Sequence, residues 1–112
     1  MDWNILKDAE QLDELDRLSG HRPVLIYKHS TRCGISSTVL SRLERKWQEQ
    51  DSAVLTPYFL DLLRYRELSN LIAERYGIEH QSPQVLLIEK GQTVYAESHM
   101  QITYDDLMKA AG

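Results

Sequence analysis

The chain has 112 residues, with 13 Lys and Arg against 17 Asp and Glu, a formal net charge of −4. That length reads as one domain, residues 1–112, with a modest core, and the acidic balance argues against nucleic acid as a partner, since phosphate binding needs a basic face. No apolar run approaches the roughly 20 residues of a membrane span, and the opening MDWNILKDAEQ lacks the basic-then-apolar layout of a secretory leader, so the expected location is the cytoplasm, where thiols stay reduced.

In chain order, WNIL at residues 3–6 is a candidate short edge strand. DAEQLDELDRLSG, residues 8–20, predicts a helix: Asp8 and Gln11 form a capping-box variant, Leu12, Leu15 and Leu18 share one side, and Gly20 is placed to end it. PVLIYK, Pro23 to Lys28, is a short apolar β-rich run and reads as a buried central strand. A second helix is expected from Gly34 to Gln48, with Val39, Leu40, Leu43 and Trp47 at helical spacing and charges between them. Ala53 to Leu62 reads as a strand in which Pro57, lacking an N–H, requires an edge or an unpaired donor side. RELSNLIAERYG predicts a third helix ending at Gly77, and QVLLIEKGQTVYAES predicts a hairpin around Lys90-Gly91-Gln92. The last helix starts at Thr103, with Asp106 three residues on. A strand–helix–strand unit implies a parallel pair with a right-handed crossover. The expected fold is therefore α/β: a small mixed sheet of four or five strands with helices on both faces.

Cys33 is the only cysteine, so any disulfide it forms is with another molecule. It stands where the first central strand ends and the second helix begins, and open α/β sheets bind ligands beyond the carboxyl ends of their strands. Free N–H groups and the positive end of the helix dipole stabilise a thiolate at that position, and Arg32 adds a full positive charge beside it. The polar, small flanks HSTR and GISS, including Gly34, are unlike those of a packed core cysteine. Read this way, Cys33 is a nucleophile for thiol–disulfide exchange. Ser36 gives a Cys-x-x-Ser spacing: serine has the shape of a second thiol, cannot resolve a mixed disulfide, and is placed to hydrogen-bond the thiolate from one turn along, or is an ordinary first-turn residue.

Other chemistry-bearing residues fit less well. His29 with Cys33 resembles a cysteine-hydrolase pair, but no Asn or Asp partner is evident. His29, Cys33, His80 and His99 have no zinc-ligand spacing, so no metal is expected. Lys28 reads either as an attractor of an anionic small thiol or as a solvated strand end. Pro83 immediately precedes the third core strand, and pattern alone favours a trans bond there.

Together these segments resemble a known family. A strand, a cysteine at a helix start, a strand ending in Asp61, a helix ending ERYGI, and SPQVLLIEKGQTVY resemble the thioredoxin fold over nearly the whole chain. Within it, YKHSTRCGISS, YFLDLLRYRELSN and SPQVLLIEKGQ resemble the monothiol bacilliredoxin-like proteins of the bacillithiol redox system. The resemblance implies that Cys33 is the redox-active cysteine and that Pro83 is a cis-proline beside it. It also implies that the Ser82 backbone turns toward the substrate groove and that His99 borders that groove, with Arg32, Gly34 and Ser36 as further substrate-binding candidates. The implied activity is a thiol-disulfide oxidoreductase that reverses mixed disulfides between bacillithiol and cytosolic proteins. Bacillithiol is then a co-substrate, no cofactor is required, and another redoxin is a further candidate partner.

Two other functions remain open on sequence. CGIS resembles the Cys-Gly-Phe-Ser motif of cluster-carrying monothiol glutaredoxins, although the glycine pair and aspartate those proteins use near the last helix are replaced here by ESHMQI. A non-catalytic interaction domain on the same fold is the third reading. A visible absorption spectrum after anaerobic purification separates the carrier from the oxidoreductase, and a Cys33→Ser chain that retains full cellular function would favour the interaction domain.

Overall fold

The computed structural model describes residues Met1–Gly112. Its strands are β1 (Asn4–Ile5), β2 (Val24–His29), β3 (Thr56–Asp61), β4 (Gln84–Glu89) and β5 (Gln92–Ser98). The helices are α1 (Glu10–Ser19), α2 (Gly34–Lys46), a single turn α3 (Asp51–Val54), α4 (Arg66–Tyr76) and α5 (Tyr104–Ala111), with a 3-10 turn at His99–Gln101. The strands make one mixed sheet in the order β1-β3-β2-β4-β5, with β1, β3 and β2 parallel and β4 and β5 antiparallel to their neighbours.

Every residue of β2 is buried, as expected of a strand with neighbours on both edges and helices on both faces. Because side chains alternate across a strand, Val24 and Ile26 join Leu86 and Ile88 in a core layer under α1 and α4, with Leu12, Leu15, Leu68 and Ile72. Leu25 and Tyr27 join Val85 and Leu87 in the opposite layer under α2 and α5, with Val39, Leu43 and Leu107.

The local signals act largely as expected. The α1 capping box forms: Asp8 Oδ1 accepts from the Gln11 N–H at 3.1 Å while Gln11 Oε1 accepts from the Asp8 N–H at 3.1 Å. Thr103 Oγ1 accepts from the Asp106 N–H at 3.2 Å at the start of α5. Gly77 ends α4 with φ of 67°, and Lys90 and Gly91 turn the hairpin at φ of 53° and 73°. The Thr56 N–H donates to the Pro23 carbonyl of the β2 side, so Pro57 turns its missing donor toward β1; there its carbonyl accepts from Asn4 Nδ2 at 3.1 Å.

Some local details differ from the sequence reading. The strand expected from Ala53 starts at Thr56, because Asp51–Val54 is a helical turn closed by the Leu55 N–H on the Asp51 carbonyl. The helix α2 ends at Lys46, and Trp47 is already extended. Gly20 stays right-handed at φ of −70°, so α1 does not use a left-handed glycine to stop.

Candidate active site

The site lies at one end of the sheet, where β1, β3 and β2 all finish. Register places its parts there. Lys28 of β2 is opposite Gln84 of β4, and Gln84 is opposite Ser98 of β5. The loop after β2, the Ser82–Pro83 segment before β4 and His99 after β5 therefore share that end.

Cys33 is half-buried, extended at φ of −106°, and occupies the position that caps α2. Its N–H donates to the Ser30 carbonyl at 3.2 Å and its carbonyl accepts from the Ser37 N–H at 3.3 Å, so the backbone is held on both sides. The sulfur itself accepts no capping hydrogen bond. Arg32 is exposed beside it with no ion pair. Gly34 is exposed with open space around its Cα.

Ser36, which the sequence offered either as a partner of the thiolate or as an ordinary first-turn residue, is fully buried. Its Oγ lies 2.7 Å from His29 Nδ1 and accepts from the Ser30 N–H at 3.2 Å, while its carbonyl accepts from the Tyr27 hydroxyl at 2.9 Å. Ser36 thus anchors both ends of the turn that carries Cys33: Ser30 is fixed to it directly, and Tyr27 pins its backbone from β2. His29, placed as a base for hydrolysis only if it met the thiol, meets Ser36 instead. Burial lowers its pKa, opposed by Asp61 and Glu44. The Tyr27 phenol is pushed up to about 12, chiefly by burial, with the charges of Cys33 and Glu44 adding to the shift. Tyr27, His29, Phe59 and Trp3 form an aromatic cluster behind this turn, with Tyr27 and Phe59 stacked at 6.3 Å and His29 5.4 Å from Phe59.

On the other side, the Ser82–Pro83 bond is cis. Pro83 is buried, and its carbonyl accepts from the His99 N–H at 3.0 Å, which ties His99 to this segment. His99 is exposed in the left-handed region at φ of 57°, a conformation in which His is enriched among non-glycine residues. The Ser82 backbone makes no hydrogen bond within the chain. Its buried Oγ also has no partner.

Lys28 is not a solvated strand end. It is fully buried on the α4 side, where its Nζ donates to the Ser69 carbonyl at 3.0 Å. No carboxylate pairs with it. Burial lowers its pKa to about 8. His80, beside it, bonds Ser69 Oγ at 3.3 Å and is lowered by burial and by the Lys28 charge. The roles of Tyr27 and His29 in holding the Cys33 turn had one sequence signal, their alternation with Lys28 in a strand leading to the cysteine; Lys28 had none.

The mixed β1-β3-β2-β4-β5 sheet with one cysteine at the start of α2 is similar to thioredoxin-fold proteins and carries a single thiol. Solved structures agree on the fold. One, described only as a candidate oxidoreductase with a thioredoxin fold, is 26% identical at a TM-score of 0.81 and covers 96% of this chain and 92% of its own. The thioredoxin of Malassezia sympodialis is 17% identical at 0.75, covering 98% and 88%. That of Fasciola hepatica is 17% identical at 0.68, covering 96% and 95%. A family model, "Monothiol bacilliredoxin BrxC", matches residues 4–107, and the chain belongs to this monothiol bacilliredoxin family. Family and fold together support a thiol oxidoreductase role. No helix is long and apolar enough to cross a membrane.

Proposed function

We propose that the chain removes a low-molecular-weight thiol, bacillithiol, from protein mixed disulfides through Cys33. The observation that carries this reading is the pairing of a solitary, half-exposed cysteine at the α2 start with a neighbouring segment, Ser82–Pro83, whose Ser82 backbone is unpaired. An extended substrate strand satisfies those backbone groups by main-chain pairing, and its modified cysteine then lies beside Cys33.

The exchange balances without a cofactor. The Cys33 thiolate attacks the bacillithiol sulfur of the mixed disulfide; a new S–S bond forms to Cys33 and the bond to the target protein breaks. The target leaves as a thiolate and takes a proton from solvent. With no second cysteine in the chain, the adduct waits for an outside thiol. A second bacillithiol thiolate attacks the bound bacillithiol sulfur, Cys33 leaves as thiolate, and bacillithiol disulfide is released. Another redoxin with a free thiol performs the same step.

Mass spectrometry of the chain offered one protein modified either by bacillithiol or by glutathione tests this. Transfer of the bacillithiol adduct to Cys33, faster than that of glutathione and lost in Cys33→Ser, is the expected result. Transfer of neither adduct, or a Cys33→Ser chain as active as the parent, contradicts it.

A further inference from the structure

Charge is unevenly placed on the helices of this molecule. On one face of the sheet, α1 carries Glu10, Asp13, Glu14 and Asp16 against the single base Arg17. On the other, the Cys33 turn and α2 carry Arg32, Arg42, Arg45 and Lys46, and the one carboxylate among them, Glu44, is bonded to Trp3 Nε1 at 3.0 Å. Lys46 pairs with Asp105 at 3.9 Å, but Arg32, Arg42 and Arg45 have no acidic partner, and Arg45 reaches only Ser41 Oγ at 3.3 Å. A chain with a net charge of −4 therefore keeps unpaired guanidinium groups beside its thiol, at Arg32, and along the helix that follows it, at Arg42 and Arg45.

Arg42 and Arg45 border two neighbouring concavities. A groove of about 470 Å³ runs along the exposed side of α2 between Ser37, Thr38, Ser41, Arg42 and Arg45. Arg42 and Arg45 also border a cleft of about 180 Å³ whose floor is apolar, with Leu43, Met100 and Ile102. The groove begins one turn from Cys33, where the Ser37 N–H meets the Cys33 carbonyl. Ile35, in the same turn, and Met100, in the cleft, are two of the few large apolar side chains left exposed.

We infer that α2 is the docking surface for an acidic segment of the thiol-modified protein, with carboxylates that lie several residues from the modified cysteine and meet Arg42 and Arg45. This deepens the reading above and rests on it. Helical rise puts Arg42 and Arg45 roughly 13 and 18 Å along the axis from Cys33. An extended chain covers that distance in about four to six residues, which sets where the carboxylates belong. The groove wall of serine and threonine hydroxyls leaves room for a peptide backbone, and the Met100 cleft takes one apolar side chain. Guanidinium forks pair bidentately with carboxylates, and an unpaired basic track steers an acidic partner toward the thiol before contact.

Three peptides carrying the same bacillithiol mixed disulfide test this, differing only in acidic, neutral or basic residues four to six positions from the cysteine. The readout is the rate of adduct transfer to Cys33. The expected order is acidic, neutral, basic, with the extremes separated on the order of ten-fold at low salt and the gap closing in molar salt. In Arg42→Glu/Arg45→Glu the order is expected to invert, and in the milder Arg42→Gln/Arg45→Gln to flatten. Equal rates for the three peptides, with transfer to Cys33 intact, overturn the acidic-segment proposal and leave the bacilliredoxin reading standing. An acidic preference that survives both double variants also overturns it, since other groups then carry the selectivity. Absence of transfer from every peptide removes the bacilliredoxin reading and this proposal together.

Discussion

Replacing Ser36 with alanine removes the acceptor from the buried Ser30 N–H and the partner from His29 Nδ1 while leaving helix α2 its backbone. A buried donor stripped of its partner costs about 1–3 kcal/mol, and the turn carrying Cys33 loses its anchor. Ser36→Ala is therefore expected to lose about that much stability in chemical denaturation, and to lower the rate of Cys33 exchange for all substrates alike. A residue that touched substrate would instead change discrimination between substrates with stability unaltered, and that result would return Ser36 to the binding surface. The same geometry explains His29. Burial lowers its pKa, and its ring faces the Ser36 hydroxyl, the Tyr27 ring, Phe59 and, at longer range, Asp61 and Glu44. It supports the thiol's turn rather than acting on the thiol.

At the level of elements, β2 does the most to position the site, and its last residues depart furthest from expectation. The apolar run, Pro23 to Lys28, predicts a buried strand, and the strand is buried; it also continues one residue further through His29, with Ser30 still buried beyond it. Nothing local announces that Lys28 lies beneath α4, because its burial depends on β3, β4 and α4 closing around it from distant parts of the chain. The same limit applies to Ser36, whose spacing from Cys33 is visible in sequence while its orientation depends on His29 and Tyr27 behind it. Caps, the left-handed Gly77 and the hairpin turn are set by a few adjacent residues, and these were readable. Lys28 carries a measurable consequence. Burial holds its pKa near 8, below the value of 10.5 it has in the unfolded chain. Below about pH 8 both states carry the proton. Above it the folded chain releases the proton while the unfolded chain keeps it until about pH 10.5, so Lys28 opposes folding at neutral pH and stops doing so as pH rises through that window. Lys28→Met removes the buried charge. The stability of the variant relative to the parent is expected to be greatest at pH 7 and to decline between pH 8 and 10. A relative stability that stays constant across that range would mean that Lys28 does not titrate in the fold as described.

For the whole molecule, the five-stranded sheet brings three loops to one end and leaves a single thiol where the parallel strands finish, at the start of a basic helix. Thiol exchange by a monothiol protein requires that sulfur to be both reachable and more nucleophilic than an ordinary cysteine at neutral pH. The alkylation rate of Cys33 by iodoacetamide at pH 7, compared between the folded chain and the same chain in denaturant, measures this most directly. The expected result is a folded-state rate at least several-fold above the denatured-state rate, abolished in Cys33→Ser. A folded-state rate equal to or below that of the denatured chain would contradict a redox-active Cys33.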